Sequence, residues 1–287
     1  MNKFLSTIGK AISKLNPNEV RQIAEQPVHI GLGAEHDFRF AEMRRFLLPD
    51  GMTKERMKES AAHIYELKPT IVEPQYDIDI YESGVAHPKH GFTYYPQNPE
   101  RTIAQILERK EDLGLPLARQ FPVFRPMVVD TIVQSICQEN AMFAIMTALP
   151  NIIPGVALPM AAGEFASDTA ILTMNQMRMA FMMAGASDRP IGYREQKSEI
   201  ASVIAGAFGW RAVARELVGK IPFGGGIIPK AAISYAGTWV VGKSLERLYR
   251  MGYGYSRKER HEIYDQGMEK GKKVALFLMD KARGKAS

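Results

Sequence analysis

The chain has 287 residues, of which 46% are hydrophobic and 24% are charged, so it is long enough for two domains and too apolar for disorder throughout. Its formal net charge of +6 suits contact with an anionic lipid surface as well as with nucleic acid. The single cysteine, Cys137, excludes an internal disulfide and a cysteine-based zinc site, and it indicates a reducing compartment. A mean hydropathy of −0.18 argues against a polytopic membrane protein.

Residues 1–15 predict a short amphipathic helix that ends before Pro17. A basic helix of this kind can lie on a membrane surface, and it can also dock on the protein's own core, which is the commoner arrangement. The segment has no continuous apolar stretch followed by a small-residue cleavage site, so we expect no secretory signal. Its apolar side carries Phe4, Leu5, Ile8, Ile12 and Leu15, and its opposite side carries Lys3, Lys10 and Lys14.

Residues 17–120 predict a small α/β domain, because strand and helix signals alternate along them. The apolar stretch 27–33 predicts a strand, and helices are predicted at 37–47 and at about 53–68. The alternating stretch 76–81 predicts a further strand. After it, Gly84 to Pro99 predicts a loop, and Asn98 with Pro99 predicts the start of a helix that reaches about Lys110.

The turn after the first strand is the place where a nucleotide-binding domain would carry its phosphate loop. A working loop needs the pattern G-x-x-x-x-G-K-[ST], whose backbone N–H groups and lysine hold the phosphates. Here Gly31 and Gly33 are not followed by that lysine, and Glu35 and Asp37 would repel phosphate. No Asn-Lys-x-Asp guanine signature occurs either. We therefore predict a degenerate or unrelated α/β domain that does not bind GTP tightly.

Two other polar clusters are interpreted as structural. His87 and His90 flank a proline and a lysine without an acidic or cysteine partner nearby, which favours a solvated loop over a metal site with three or four ligands. Glu164 and Asp168 lie one turn apart at a helix start, where negative charge complements the helix dipole. The sequence therefore predicts no catalytic residue, no cofactor and no metal.

Only helix signals occur from Pro126 onward. The uncharged stretch 140–163 contains Pro150, Pro154 and Pro159, so it cannot form one straight helix. Helices are predicted at about 164–186, 195–219 and 229–251, and Ser256-x-x-Glu259 predicts a capping box for a last helix to about 283. The basic end of that helix carries Lys270, Lys272, Lys273, Lys281, Arg283 and Lys285.

The segment Gly224–Gly226 predicts a tight connection in a helical hairpin, since no strand precedes it as in a phosphate loop. Small residues one turn apart on both sides would let the helices approach closely, in a membrane or in a soluble bundle. No stretch has the roughly 20 unbroken apolar residues of a standard span, so a shallow or re-entrant hairpin competes with a full crossing. The small-residue pairs are Ser202 with Gly206, Ala205 with Gly209, and Ala232 with Ala236. The candidate membrane contacts are Phe4, Ile8, Ile12, Trp210, Phe223 and Trp239.

Methionines cluster around the helix predicted at 164–186. Such clusters usually fill a core, and they can also form adaptable binding surfaces, so we expect core residues first. The cluster comprises Met160, Met174, Met177, Met179, Met182 and Met183.

Three short motifs give the stretch from about 121 to 250 a resemblance to a known family. It is similar to the YcjF-like helical membrane domain that is associated with bacterial GTPases. The resemblance implies a membrane location without an established activity, and it implies that the N-terminal half is a relic GTPase-like domain. The motifs are Ala148-Leu149-Pro150-Asn151-Ile152-Ile153-Pro154-Gly155, then Ser167-Asp168-Thr169 with Leu172-Thr173-x-Asn175-Gln176, and then Gly219-Lys220-Ile221-Pro222 with Gly224-Gly225-Gly226 and Pro229-Lys230-Ala231.

Together these patterns predict an α+β, mostly α protein. It comprises an amphipathic helix at 1–16, a degenerate GTPase-like α/β domain at 17–120, and a helical, hairpin-containing, membrane-associated domain with a transmembrane helix at 121–287. The predicted function is that of a non-enzymatic bacterial scaffold or regulator at the cytoplasmic face of the inner membrane. Its expected partners are anionic lipid and a protein partner or second copy, with no nucleic acid and no small-molecule substrate. The alternatives are a nucleotide-responsive protein with a non-standard site and a soluble helical protein of the cytoplasm.

Overall fold

The computed structural model of the protein describes residues 15–68, 73–148, 168–202 and 226–284. Within these ranges the chain is mostly helical and contains one four-stranded sheet. The coarse prediction of an α+β, mostly α protein is therefore confirmed. Residues 1–14 of the predicted N-terminal helix lie outside the described residues, as do Gly224 and Gly225 of the predicted connection, Glu164 and Met160.

The chain divides into two compact units. The first, called here the α/β unit, comprises residues 19–130 and the short segment 184–190. The second, called here the helical unit, comprises the described residues 15–18, 131–148, 168–183, 191–202 and 226–284.

The sheet of the α/β unit is parallel throughout, with the strand order β2-β1-β3-β4. Ile30 of the central strand pairs with Ile64 on one side and with Ile78 on the other. The central strands are buried, as is usual for a parallel sheet, and this is why they consist mainly of apolar residues. In chain order the elements are α1 (Pro17–Ala24), β1 (Ile30–Gly33), α2 (Asp37–Leu47), α3 (Lys54–Ala61), β2 (Ile64–Glu66), β3 (Ile78–Glu82), β4 (Phe92–Tyr94), α4 (Pro99–Arg109) and α5 (Gly114–Gln120).

The elements with strong local signals lie where the sequence predicts them. Helix α2 has the predicted bounds, and α4 begins after Asn98, whose side-chain oxygen accepts from the Arg101 N–H at 3.3 Å. Strand β2 occupies the second half of the stretch predicted as one helix, and β4 lies in the predicted loop. Both strands have three residues and are defined by pairing with distant strands, so no local pattern predicts them.

The helical unit is formed by long helices. They are α6 (Arg125–Ala148), α7 (Asp168–Ala186), α8 (Ile227–Met251) and α9 (Arg257–Gly284). The predicted capping box of α9 is confirmed. The Ser256 N–H donates to Oε2 of Glu259 at 2.8 Å, and the Glu259 N–H donates to Oγ of Ser256 at 3.3 Å.

Helices α8 and α9 pack antiparallel at very short range. A Cβ atom at Gly271 would lie 3.0 Å from Cα of Ala232, and one at Gly267 would lie 3.0 Å from Cα of Ala236. The small-residue pair on α8 therefore faces a second pair on α9, and only glycine permits this approach. Among the described residues, the helix that Ala232 and Ala236 contact is thus α9. Most of the helix predicted before the glycine connection lies outside the described residues, so the predicted hairpin stays a prediction.

The predicted transmembrane helix is wrong for the part of the chain that the structure describes. None of the described helices is long and apolar enough to cross a membrane. Helix α8, which flanks the predicted hairpin, carries the charged residues Lys230, Lys243 and Arg247 along its length. Its apolar residues Ile233 and Val240 are buried within the protein.

Candidate functional site

The carboxyl ends of β1 and β3 form the crevice in which a parallel sheet of this order usually binds its ligand. The carboxylate of Glu82, at the end of β3, occupies it. Its Oε2 accepts from the Glu35 N–H at 3.2 Å, and its Oε1 lies 3.1 Å from Nε of Arg39. Glu42 also pairs with Arg39 at 2.8 Å, and this hydrogen bond is the main cause that raises the pKa of the Arg39 guanidinium. The carboxylate of Glu82 is therefore already held by the Glu35 N–H and by Arg39 at this edge of the sheet.

The two glycines of β1 have a packing role. A Cβ atom at Gly31 would lie 2.6 Å from Cδ2 of Tyr76 and 2.9 Å from Oδ1 of Asp79. One at Gly33 would lie 2.7 Å from Cδ1 of Tyr81. These residues are glycine because large side chains of the unit lie across β1, which explains the Gly-x-Gly pattern without a bound phosphate.

The histidines of the loop between β3 and β4 point to different partners. Nε2 of His87 lies 2.8 Å from Oγ1 of Thr93, and its ring stacks on Tyr81. Nε2 of His90 lies 3.4 Å from the carboxylate of Asp79, which is buried. No group of three or more potential metal ligands converges among the described residues.

A polar cleft of about 310 Å³ opens at the opposite, amino-terminal edge of the sheet. Its charges are paired within the protein, since Arg56 lies 2.6 Å from Glu59, and Arg119 lies 3.6 Å from Glu25. The hydroxyl of Ser60 donates to the main-chain carbonyl of Gln120 at 2.7 Å. The lining residues are Ala24, Glu25, Gln26, Pro27, Arg56, Glu59, Ser60, His63, Arg119 and Gln120.

His63 of this cleft has a lowered pKa. Burial lowers its pKa, and the neighbouring His29 lowers it further. Its Nδ1 atom is buried without a hydrogen-bond partner. A neutral imidazole beside a serine that donates to a carbonyl is not an activated nucleophile pair.

Three arginines hold the segment 184–190 in the α/β unit. Nε of Arg56 lies 2.6 Å from Oδ2 of Asp188, whose backbone is left-handed with φ of 56°. Nη1 of Arg119 donates to the carbonyl of Arg189 at 3.0 Å, and Nε of Arg125 donates to the carbonyl of Ala186 at 2.7 Å. Burial lowers the pKa of Arg125. These arginines therefore satisfy the C-terminal carbonyls of α7 and leave no unpaired cationic cluster for an anion.

A buried polar junction joins three helices of the helical unit. Oγ1 of Thr238 accepts from the side-chain amides of Asn140 at 2.8 Å and Gln176 at 3.2 Å, and it donates to the carbonyl of Ser234 at 2.9 Å. The Asn175 amide donates to Oδ1 of Asn140 at 2.8 Å. The hydroxyl thus uses its donor and both acceptor sites, and the junction fixes the register of α6, α7 and α8.

A groove of about 500 Å³ opens on the helical unit among residues that the structure describes. It is called here the Met groove. Its apolar residues come from α6, α7 and α9, and the ion pair between Glu139 and Arg178 lies at its rim. The lining residues are Gln138, Glu139, Met142, Phe143, Met146, Ile171, Met174, Asn175, Arg178 and Leu278.

The methionine cluster of α7 is divided between core and groove. Met177, Met179 and Met183 are fully buried, which confirms the expectation for these three residues. Met174 faces the Met groove instead, and Met142 and Met146 of α6 join it there. The sequence missed this groove because its residues come from three helices that are distant in the chain.

Of the six candidate membrane contacts, only Trp239 is described. Its side chain is 3% exposed and lies against Gly267 of α9, with the ammonium groups of Lys243 and Lys270 over the ring at 4.8 and 4.0 Å. Trp239 is therefore a packing residue without an exposed face for lipid. Phe4, Ile8, Ile12, Trp210 and Phe223 lie outside the described residues.

Comparisons with protein families, with curated proteins and with solved structures found no match for this chain.

Proposed function

We propose that this protein is a non-enzymatic bacterial scaffold or regulator at the cytoplasmic face of the inner membrane, and that its helical unit binds an apolar helix of a partner protein. The observation that carries the proposal is the Met groove. The carboxyl edge of the sheet and the polar cleft already hold the protein's own charges, whereas the Met groove presents apolar side chains to solvent.

The side chains of the Met groove suit a helix as occupant. Met142, Met146 and Met174 are half-buried, and unbranched thioether side chains adapt to the shape of an incoming apolar surface. Helices α6 and α7 supply the two walls, as in other proteins that bind an amphipathic helix in a groove. The ion pair of Glu139 and Arg178 gives the rim polar groups that would orient the partner.

The α/β unit supports a regulatory role without catalysis. Its parallel sheet and its strand-turn-helix at β1 fit a degenerate GTPase-like domain, and Glu82 replaces the anion that such a domain would bind. The resemblance of residues 121–250 to the YcjF-like helical domain supports the membrane location. The nucleotide-responsive alternative would require Glu82 and Arg39 to separate before phosphate could bind.

Site-specific photo-crosslinking in cells tests the groove. A benzophenone amino acid replaces Met142 or Met174 in the groove, and Met251, a methionine that is 51% exposed elsewhere on the helical unit, serves as the matched control. We expect a discrete protein adduct from the two groove positions, absent from the control and abolished by Met146→Glu. Absence of an adduct, or the same adducts from all three positions, would refute the groove as the binding site.

Cell fractionation tests the location. The proposal expects the protein in the membrane fraction of native cells. Recovery of all the protein in the soluble fraction would instead support the alternative of a soluble helical protein.

A further inference from the structure

The C-terminal part of α9 exposes two large apolar residues next to each other. Leu276 is 49% exposed and Phe277 is 64% exposed, and they are the only consecutive pair of exposed large apolar residues in the described chain. The other face of the same turn is buried, with Ala275 and Met279 packed in the unit. The inner face of α9 is therefore packed against the helical unit, while its outer face presents apolar surface to solvent.

Lysines lie one helical turn on each side of Phe277. Lys273 and Lys281 are both exposed and share its face of the helix, because residues four apart lie one above the other. The two lysines are about 12 Å apart along the helix axis at 1.5 Å per residue. Lys272 lies one turn before Leu276 and pairs with Glu269 at 2.7 Å. The exposed carboxylate of Asp280 lies on the same face, three residues after Phe277 and four after Leu276, so the face carries one acid beside Lys273 and Lys281.

We infer that this exposed end of α9, comprising Lys273, Leu276, Phe277 and Lys281, is the surface that contacts an anionic lipid bilayer. The inference rests on the membrane location proposed above and names the surface and the lipid. Apolar side chains that lie between lysines on one helix face match a bilayer surface, which is apolar at depth and anionic at the headgroups. The helix lies along the bilayer, Phe277 and Leu276 enter the acyl boundary, and the ammonium groups remain at the phosphates.

The charge pattern favours lipid over a protein partner. A protein that covered Phe277 would have to supply paired acids on both sides, whereas a bilayer that contains anionic lipid supplies phosphates in every direction. The apolar pair also lies on the exposed side of α9, away from the buried Ala275 and Met279. This surface is distinct from the six sequence-predicted contacts.

Vesicle co-sedimentation of the full-length protein tests the inference, with phosphatidylcholine vesicles that contain or lack phosphatidylserine. We expect wild-type protein to bind the phosphatidylserine vesicles. Phe277→Glu should lower the partition coefficient at least about tenfold, because it removes the aromatic side chain that the bound protein buries in the bilayer. Ile23→Glu is the matched control, since Ile23 is 49% exposed on a helix of the other unit, and it should bind as wild type does.

A second pair of variants tests the charge. Lys273→Gln with Lys281→Gln should lower binding to phosphatidylserine vesicles roughly five-fold per lysine and leave binding to pure phosphatidylcholine unchanged. The matched control is Lys54→Gln with Lys58→Gln, a pair of lysines that are also exposed and lie on a helix of the other unit. All variants should keep the helical circular dichroism of the wild type, because the changed side chains are exposed.

The results separate the inference from the function on which it rests. If wild-type protein binds vesicles and Phe277→Glu and the lysine pair bind equally well, the surface on α9 is not the contact, while the membrane location stands. If wild-type protein binds neither kind of vesicle, the membrane location fails and the inference fails with it. Equal loss of binding in Phe277→Glu and Ile23→Glu would also overturn the inference.

Discussion

Replacement of Gly271 by alanine tests the close packing of α8 and α9. Two opposing effects decide the sign. Alanine should stabilise a helix interior by about 1 kcal/mol relative to glycine, chiefly through the unfolded chain. The new Cβ atom, however, would lie 2.9 Å from the carbonyl oxygen and 3.0 Å from Cα of Ala232.

The steric effect should win because the contacted atoms belong to the backbone of α8. Carbon atoms pack best at about 3.5–4.0 Å, so α9 would have to move outward by about 0.5–1 Å along the whole contact. Overpacking of this kind costs about 1–3 kcal/mol. We therefore expect Gly271→Ala to lower the free energy of unfolding by up to about 2 kcal/mol, measured by urea unfolding with far-ultraviolet circular dichroism.

Gly114→Ala provides the matched control. Gly114 is also helical, but a Cβ atom there would meet Leu107 at 3.8 Å and Val128 at 3.9 Å, which are ordinary contacts. This variant should be as stable as the wild type or more stable by up to about 1 kcal/mol. If Gly271→Ala gives the same stabilisation as Gly114→Ala, the two helices do not pack at the described distance and the reasoning is refuted.

Three further results are expected. Equilibrium binding of labelled GTP should show no affinity in the micromolar range or better, because the carboxylate of Glu82 already pairs with Arg39 at the carboxyl edge of the sheet; such an affinity would contradict the prediction. Thr238→Val removes the oxygen that accepts from two buried side-chain amides, including that of Asn140, and should lower the free energy of unfolding by about 2–4 kcal/mol. Thr238→Ser keeps a hydroxyl at this position, so a smaller loss of stability in Thr238→Val than in Thr238→Ser would contradict the junction. Hydrogen bonds from Ser256 lower the pKa of Glu259 from 4.5 to about 2. The stabilisation that the ionised Glu259 carboxylate gives to the folded state should therefore be complete above pH 4.5 and lost as the pH falls through about 2. Thermal unfolding of Glu259→Gln should therefore differ from wild type at neutral pH and converge with it near pH 2; a constant difference would disprove the assignment.

Local signals account for the parts of the fold that the sequence predicts well. The start of α4 depends on Asn98 and that of α9 on the Ser256 capping box, and both involve residues within one helical turn. Strands β2 and β4 are too short for a local pattern, so they became visible only through their parallel pairing with β1 and β3. The transmembrane prediction failed in the described chain because none of its helices is long and apolar enough to cross a membrane.

Composition and spacing by themselves determined that the chain combines a small α/β part with long helices and lacks the G-x-x-x-x-G-K-[ST] pattern of a phosphate loop. These are properties of single segments, and periodicity and capping report on single segments. Only the tertiary structure decided that Met174 faces a groove while Met177 lies in the core, and that Gly271 is the partner of Ala232. Such choices depend on which helices meet, because the face of a helix that is buried is set by its neighbours and not by its own sequence pattern.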